Sequence, residues 1–295
     1  MLPKAIYELL PYLYVLTGLV AVIGVESILG KSCGFLLMIA GLVVHQTRSR
    51  YRGRKVKFGD LAGKKIPKRS NTDGEPVSQR RAKAQQDFEN GEDSYEQGDH
   101  AAALKWYRKA ADQGYAPAQI NLGSMYAEGE GVPRDLQEAL KWYHKAADQG
   151  DASAEFSLGM LYEQGEGVPQ DFEEALRWYR KAADQGDALA QVNLGSMYAE
   201  GQGVPRDFQE ALKWYRKAAD QGYAPAQFNL AAIYAEGQEG IPQDLVMAYV
   251  WFSRSAMLGD EDAQLAQKQV GARLNSAQKM RAQQLLRTPL QEHPV

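Results

Sequence analysis

The chain has 295 residues, which is long enough for one extended domain together with additional segments. Its formal net charge is only −3, but positive and negative residues are unevenly spread along it. The single cysteine, Cys33, excludes an intramolecular disulfide framework.

Two apolar runs near the N-terminus predict a membrane anchor within residues 1–47. Residues 9–25 are uncharged, residues 32–47 are uncharged again, and the stretch between them contains Glu26 and Lys31. A membrane span needs about 20 residues, with about 17 as the lower limit, so both runs suffice if flanking side chains snorkel. We therefore expect a transmembrane helical hairpin. One span with an interfacial or re-entrant segment, and a cleaved signal peptide, are the alternatives.

The segment that follows, residues 48–84, is basic and is predicted to be a flexible linker. Residues 48–83 contain 13 Lys or Arg against three Asp or Glu, whereas residues 84–295 contain 19 against 32. Positive charge directly after a span favours the cytoplasmic side, and it attracts anionic lipid headgroups. Nucleic-acid binding is the alternative, which the acidic remainder of the chain disfavours. The residues expected at the headgroups are Arg48, Arg50, Arg52, Arg54, Lys55 and Lys57.

From residue 105 onward the sequence repeats itself every 36 residues. All five tryptophans mark the period, with one inserted residue before the last: Trp106, Trp142, Trp178, Trp214 and Trp251. A fixed period of this length is typical of a solenoid, in which stacked repeats bury a continuous core. The tryptophans are therefore predicted to be core residues. Carbohydrate or base stacking is the alternative role.

Each period predicts two helices joined by a tight turn. In the first helix, Leu122, Met125 and Tyr126 form one apolar stripe. Glycine and proline then interrupt the helix, and Asp135 and Glu138 have the spacing of a capping box at the start of the second. The same spacing recurs at Asp171 and Glu174 and at Asp207 and Glu210, while Asp244 has only Met247. Glycines at 114, 150, 186 and 222 are predicted to end the second helices in the left-handed conformation.

The repeated pattern A-x-x-x-L-G-x-x-Y-x-x-G-x-G-V-x-x-D-x-x-x-A-x-x-W-Y-x-x-A-A-x-x-G resembles that of Sel1-like repeats, relatives of tetratricopeptide repeats. Repeats starting at Ala116, Ala152, Ala188 and Ala224 match it, the last with Ala231 where the others have glycine. The preceding unit, Phe88 to Gly114, is closer to a tetratricopeptide unit. The resemblance implies an all-α fold, a right-handed α-solenoid over residues 85–287, with a concave protein-binding surface. Together with the compact hairpin anchor, the resemblance favours a bacterial inner-membrane protein, and the basic residues after the anchor favour repeats that lie in the cytoplasm.

The residues that differ between repeats predict where a partner binds, because residues required for folding stay the same. In tetratricopeptide relatives the first helix lines the groove. The predicted contacts there are an amide row, Asn121, Ser157, Asn193 and Asn229, which could bind an extended peptide, and the positions preceding it, Ile120, Phe156, Val192 and Phe228. Glutamates on the same helices, at 128, 163, 200 and 236, slightly favour a basic or polar partner.

The C-terminal part predicts a cap for the solenoid. A further first helix begins at Asp260, and a final helix follows from Leu274 to Arg287, with Ser276 as candidate N-cap. Residues 288–295 are predicted to be a disordered tail.

No catalytic or metal-binding constellation is present in the sequence. The four histidines, His45, His100, His144 and His293, are scattered without metal-ligand spacing, and Cys33 has no neighbouring histidine. We therefore expect a non-enzymatic, membrane-anchored scaffold that binds proteins and needs neither cofactor nor metal. An envelope-facing protein involved in carbohydrate-associated processes, and a nucleic-acid binder acting through the basic linker, are the alternatives.

Overall fold

The computed structural model describes residues 77–287, which form twelve α-helices packed in chain order. Odd-numbered helices are the first helices of each pair and even-numbered helices are the second. Their bounds are α1 (Val77–Glu96), α2 (His100–Asp112), α3 (Ala116–Glu128), α4 (Leu136–Ala147), α5 (Ala152–Gln164), α6 (Phe172–Asp184), α7 (Ala188–Glu200), α8 (Phe208–Asp220), α9 (Ala224–Glu236), α10 (Leu245–Met257), α11 (Glu261–Arg273) and α12 (Ser276–Arg287). These residues contain no β-strand beyond an isolated bridge between Gln238 and Ile241. The predicted all-helical solenoid is confirmed.

Several predictions concern residues outside the described range. These are the anchor at residues 1–47, the headgroup contacts from Arg48 to Lys57 and the tail at residues 288–295. Within residues 77–287, no helix combines the length and apolarity that crossing a membrane requires. The transmembrane hairpin therefore stays a prediction.

In the first four helix pairs, a glycine of the first helix meets a tyrosine ring of the second. A Cβ atom built on Gly123 would lie 2.7 Å from the Tyr143 ring, and one on Gly195 would lie 2.8 Å from the Tyr215 ring. Real Cβ contacts are not this short, so glycine is required by close packing. The same pairing joins Gly91 to Tyr107 and Gly159 to Tyr179.

Alanines and tryptophans fill the rest of the core, as predicted. Ala139 and Ala146 of α4 are fully buried, and small side chains at these positions let neighbouring helices approach. Trp142, Trp178 and Trp214 are also buried, which confirms their predicted packing role. Each of these indole rings carries a lysine ammonium 3.6–3.8 Å from its centroid, a cation–π contact at the surface.

The predicted capping boxes form only in part. The Asp135 side chain accepts a hydrogen bond from the Glu138 N–H at 3.0 Å, as expected of an N-cap. The Asp135 N–H, which Glu138 would bind in a complete box, instead donates to the Tyr126 carbonyl at 2.8 Å. Glu138 is therefore left to pair with Lys141 at the surface. Asp171 and Asp207 repeat this arrangement.

The two ends of the solenoid differ from prediction in detail. The first helix begins at Val77 rather than near Gln85, because no glycine or proline follows Pro76 until Gly91. At the other end, the N-cap of α12 is Asn275, not Ser276. Its side chain accepts from the Gln278 N–H, and the Gln278 side chain accepts from the Asn275 N–H, both at 2.9 Å. Glutamine three residues on makes this reciprocal box available to Asn275 alone.

Candidate partner-binding face

Four positions that vary between repeats lie along one stripe of the first helices. On α3 the stripe consists of Pro117, Asn121, Ser124 and Glu128, spaced four, three and four residues apart. At these four positions of α3, α5, α7 and α9, the first three residues are half-buried and the last is exposed. We call this stripe the first-helix face. Its other members are Ser153, Ser157, Met160, Gln164, Leu189, Asn193, Ser196, Glu200, Pro225, Asn229, Ala232 and Glu236.

The predicted amide row lies on this face, but its first member also bridges neighbouring repeats. Asn121 Nδ2 donates to Glu92 Oε1 at 2.8 Å, and the Tyr107 hydroxyl donates to the same oxygen. This contact joins α3 to the pair α1–α2. Further along, the Tyr179 hydroxyl donates to Glu163 Oε2 at 2.6 Å.

In the alternate repeats a serine takes the place of the glutamate beside the tyrosine. Tyr143 and Ser124 share a hydrogen bond of 3.1 Å. Burial raises the pKa of Tyr143 to about 12, which hydrogen bonding by Ser124 and Ser157 partly opposes. The phenol is therefore neutral at physiological pH and acts as a hydrogen-bonding group. The third repeat has the same arrangement, with Tyr215, Ser196 and Asn229.

The four residues that precede the amide row differ in how far they are buried. Ile120 and Val192 are only 4% and 3% exposed and belong to the buried clusters. Phe156 and Phe228 are half-buried, because their larger rings reach beyond the core. Their rings contact Tyr179 at 5.7 Å and Phe252 at 5.2 Å between centroids. Of these four residues, the two phenylalanines are thus the ones with surface available to a partner.

Carboxylates accompany each tyrosine, so the face is acidic. Glu92 and Glu163 accept hydrogen bonds from their tyrosines, while the charge of Glu128 contributes to the raised pKa of Tyr143. Glu163 lies one residue earlier in its repeat than Glu128 does, and Gln164 occupies the matching position. Residues 77–287 contain 22 Lys or Arg against 31 Asp or Glu, so the face belongs to an acidic array.

The family model described as Sel1 repeat matches residues 88–115, 116–151, 152–187, 188–223 and 224–260, more than half of the chain. The chain belongs to the Sel1 repeat family. The unit that begins at Phe88, expected to be closer to a tetratricopeptide unit, is thus a Sel1 repeat like those that follow it. Sel1 repeat proteins generally mediate protein–protein interaction.

The chain is also similar to solved structures and to curated proteins. A Sel1 repeat protein from Oxalobacter formigenes is 35% identical, with a TM-score of 0.59, over 69% of this chain and 87% of that protein. The Escherichia coli protein c5321, described as a protective antigen with an SLR fold, is 28% identical over 92% of this chain and 59% of its own, with a TM-score of 0.44. DAP3-binding cell death enhancer 1 of Rattus norvegicus is 44% identical over 48 residues, 16% of this chain. Those residues span only 9% of that relative.

Among the described residues of this Sel1 array, no group of three or more His, Cys, Asp or Glu could hold a metal ion. The part of the face that the sequence did not single out is the row of tyrosine hydroxyls with Glu92. Each of these tyrosines follows a tryptophan in the repeat, and its ring lies in the core. The phenolic oxygen extends beyond the core to the face, which residue type alone does not show.

Proposed function

We propose that this protein is a non-enzymatic, membrane-anchored scaffold that binds protein partners on the first-helix face of its Sel1 repeats. One observation carries the proposal. Leucines, alanines and tryptophans shared by the repeats are buried in the core, whereas three positions that differ between repeats, those of Pro117, Asn121 and Ser124, lie half-buried along one stripe. A surface that varies over a constant framework is suited to recognition.

The chemistry of the stripe favours an extended, basic or polar segment as the partner. Amide groups supply donors and acceptors for a peptide backbone, and the carboxylates beside the tyrosines attract lysine or arginine. Phe156 and Phe228 add apolar surface at two points along the face. The second helices carry exposed ion pairs such as Lys141–Glu138 and Lys213–Glu210.

The sequence supports the remaining parts of the proposal. The two apolar runs within residues 1–47 would anchor the chain, and Arg48 to Lys57 would hold it against anionic headgroups of a bacterial inner membrane. The repeats would then bind their partners in the cytoplasm, close to the membrane.

The proposal is tested with the pair of substitutions Asn193→Ala and Asn229→Ala in the full chain. Because both residues lie on the face and neither is in the core, we expect a clear loss of partner proteins cross-linked in intact membranes, with an unchanged helical signal. A matched control is Lys105→Ala with Glu173→Ala, since both residues are exposed on second helices. Equal recovery of partners by both double variants would contradict the assignment of the face.

A further inference from the structure

One polar side chain is buried in each first helix from α1 to α9. At the equivalent position in three of the repeats, a glutamine caps the end of the preceding second helix. Gln119 Nε2 donates to the Ala111 carbonyl, and Gln191 Nε2 to the Ala183 carbonyl, both at 3.1 Å. Gln227 repeats the contact with Ala219. The buried set is Asp87, Gln119, Glu155, Gln191 and Gln227.

The other amide atom of these glutamines is an acceptor. Gln149 Nε2 donates to Gln119 Oε1, and Gln221 Nε2 donates to Gln191 Oε1, both at 2.8 Å. In α5 the same donation runs from Gln185 Nε2 to Glu155 Oε2 at 2.6 Å. The position therefore needs one oxygen that accepts and one group that donates.

Glu155 meets this requirement only when it is protonated. It is 5% exposed, and the carbonyl equivalent to those of Ala111 and Ala183 is that of Ala147, at the end of α4. An ionised carboxylate at this equivalent position has no hydrogen to donate to that carbonyl, so the pairing made by the glutamines cannot form. A carboxylic acid can donate to that carbonyl and still accept from Gln185.

The second carboxylate in the set, Asp87, has different partners, including a lysine. Lys109 Nζ lies 2.6 Å from Asp87 Oδ1, and Gln113 Nε2 donates to Oδ2 at 2.8 Å. The lysine equivalent to Lys109 in the second repeat is Lys181, whose ammonium lies 3.8 Å from the Trp178 ring centroid. Asp87 also belongs to α1, which no described helix precedes, so it has no carbonyl to cap.

The core changes from one cluster to the next at α5. One buried cluster extends from Ala103 to Leu161 and includes Trp178, so the buried face of α5 belongs to the same cluster as α4. A second cluster begins at Ala175 on α6, and half-buried residues of α5 such as Phe156 and Met160 pack against it. A weakened contact between α4 and α5 would therefore loosen the first cluster where α5 joins it.

We propose that the contact between α4 and α5 is a proton-controlled joint in the array, closed when Glu155 is protonated and loosened when it is ionised. The charged groups that act on Glu155 are Asp151 at the start of α5 and Lys181 on α6. The end of α4 carries Lys145, whose ammonium lies over the Trp142 ring, and is followed by Asp148. Because Phe156 and Ser157 follow Glu155 directly, the joint also controls how the second repeat contributes to the first-helix face.

The direction of the pH effect follows from burial. Desolvation raises the pKa of Glu155 above its usual value, opposed by the hydrogen bond from Gln185 and the charge of Lys181. A raised folded-state pKa means that the stabilisation is complete below the pKa of an exposed glutamate and is lost as pH rises through the folded-state value. The joint is thus tightest below the pKa of an exposed glutamate and loosens as pH rises through the folded-state pKa of Glu155.

Hydrogen exchange of the full chain in detergent, read by mass spectrometry between about pH 5 and pH 8 and corrected for intrinsic exchange, tests this inference. In the wild type we expect opening at the end of α4 and the start of α5 to increase with pH on the order of tenfold, as for a buried polar group that loses its partner. Glu155→Gln restores the amide found in the other repeats and should abolish the increase. The exposed Glu173→Gln, with the same change of charge, should behave like the wild type.

A reciprocal variant tests the same inference in another repeat, where the wild type has a glutamine. Gln191→Glu places a carboxylate under the Ala183 carbonyl with Gln221 as donor, so pH-dependent opening should now appear between α6 and α7. If Glu155→Gln keeps the wild-type pH dependence, another group such as Asp151 is responsible and the inference fails. If Gln191→Glu folds without acquiring pH dependence, the buried position does not control the joint and the inference fails as well.

Discussion

The interior repeats and the C-terminal end of the array follow one pattern but complete it differently. In α3–α8 each of the glycines 123, 159 and 195 packs against a tyrosine ring of the next helix. The buried glutamines 119 and 191 each accept a hydrogen bond from a glutamine near the end of the same repeat, Gln149 and Gln221. In the fourth repeat Ala231 and Phe252 stand at the equivalent positions and both are buried, so glycine and tyrosine have been replaced together. In the glutamine contact only one partner has been replaced: the buried glutamine remains and its donor is lost. Leu258 stands where Gln221 stands one repeat earlier, and Gln227 Oε1 is buried with no hydrogen-bond partner among the described residues.

This difference shows that the repeat is made of coupled pairs and not of independent positions. A larger residue in place of the glycine requires a different residue in place of the tyrosine, because the glycine backbone lies directly against the tyrosine ring. A change on one side of the glutamine contact leaves a buried acceptor unpaired, which costs stability but does not block folding. Three substitutions sharpen the comparison, beginning with the largest expected effect.

The tryptophans distinguish the interior of the array from its first unit. Trp178→Ala removes a ring buried between repeats, and we expect it to lower the free energy of unfolding by about 3–5 kcal/mol. Trp106→Ala should cost clearly less, because Trp106 is half-buried in the first unit. Urea unfolding followed by circular dichroism measures both changes. Equal losses would show that the interior and the end of the array are packed alike.

The glycine–tyrosine contact predicts an asymmetry between the third and fourth repeats. Gly195→Ala forces a Cβ against the Tyr215 ring, and overpacking of this kind costs about 1–3 kcal/mol. Ala231→Gly should cost only about 1 kcal/mol, the ordinary penalty for glycine in a helix. Thermal unfolding of the two variants, side by side, is the measurement. A Gly195→Ala variant as stable as the wild type would mean that the tyrosine ring is free to move aside.

The unpaired glutamine predicts a smaller, stabilising change. Leu258 is 55% exposed, so Leu258→Gln loses little apolar burial and places a donor where Gln221 lies in the preceding repeat. We expect a gain of about 0.5–1.5 kcal/mol, the net value of one hydrogen bond. Gln221→Leu is the matched control and should lose a similar amount. A loss of stability in Leu258→Gln would show that its side chain cannot reach Gln227.

The sequence alone predicted the repeat, the helix pairs and the buried tryptophans. The prediction was secure because the same pattern of residues occurs in four successive repeats. The sequence also identified the stripe on which Asn121 and its equivalents lie. It could not show that Ile120 and Val192 are covered, since an apolar residue beside a groove has the same type whether buried or exposed. Nor could it show that the Asp135 N–H binds the Tyr126 carbonyl, a contact between residues whose proximity depends on the geometry of the turn.

The role of the first-helix face is tested most directly by placing a photo-cross-linking amino acid at single positions of the full chain in intact membranes. Cross-links to partner proteins from Asn193, and none from the exposed second-helix residue Glu173, are the result that our account predicts. Cross-links that form equally from Glu173, or from Glu173 alone, would contradict it.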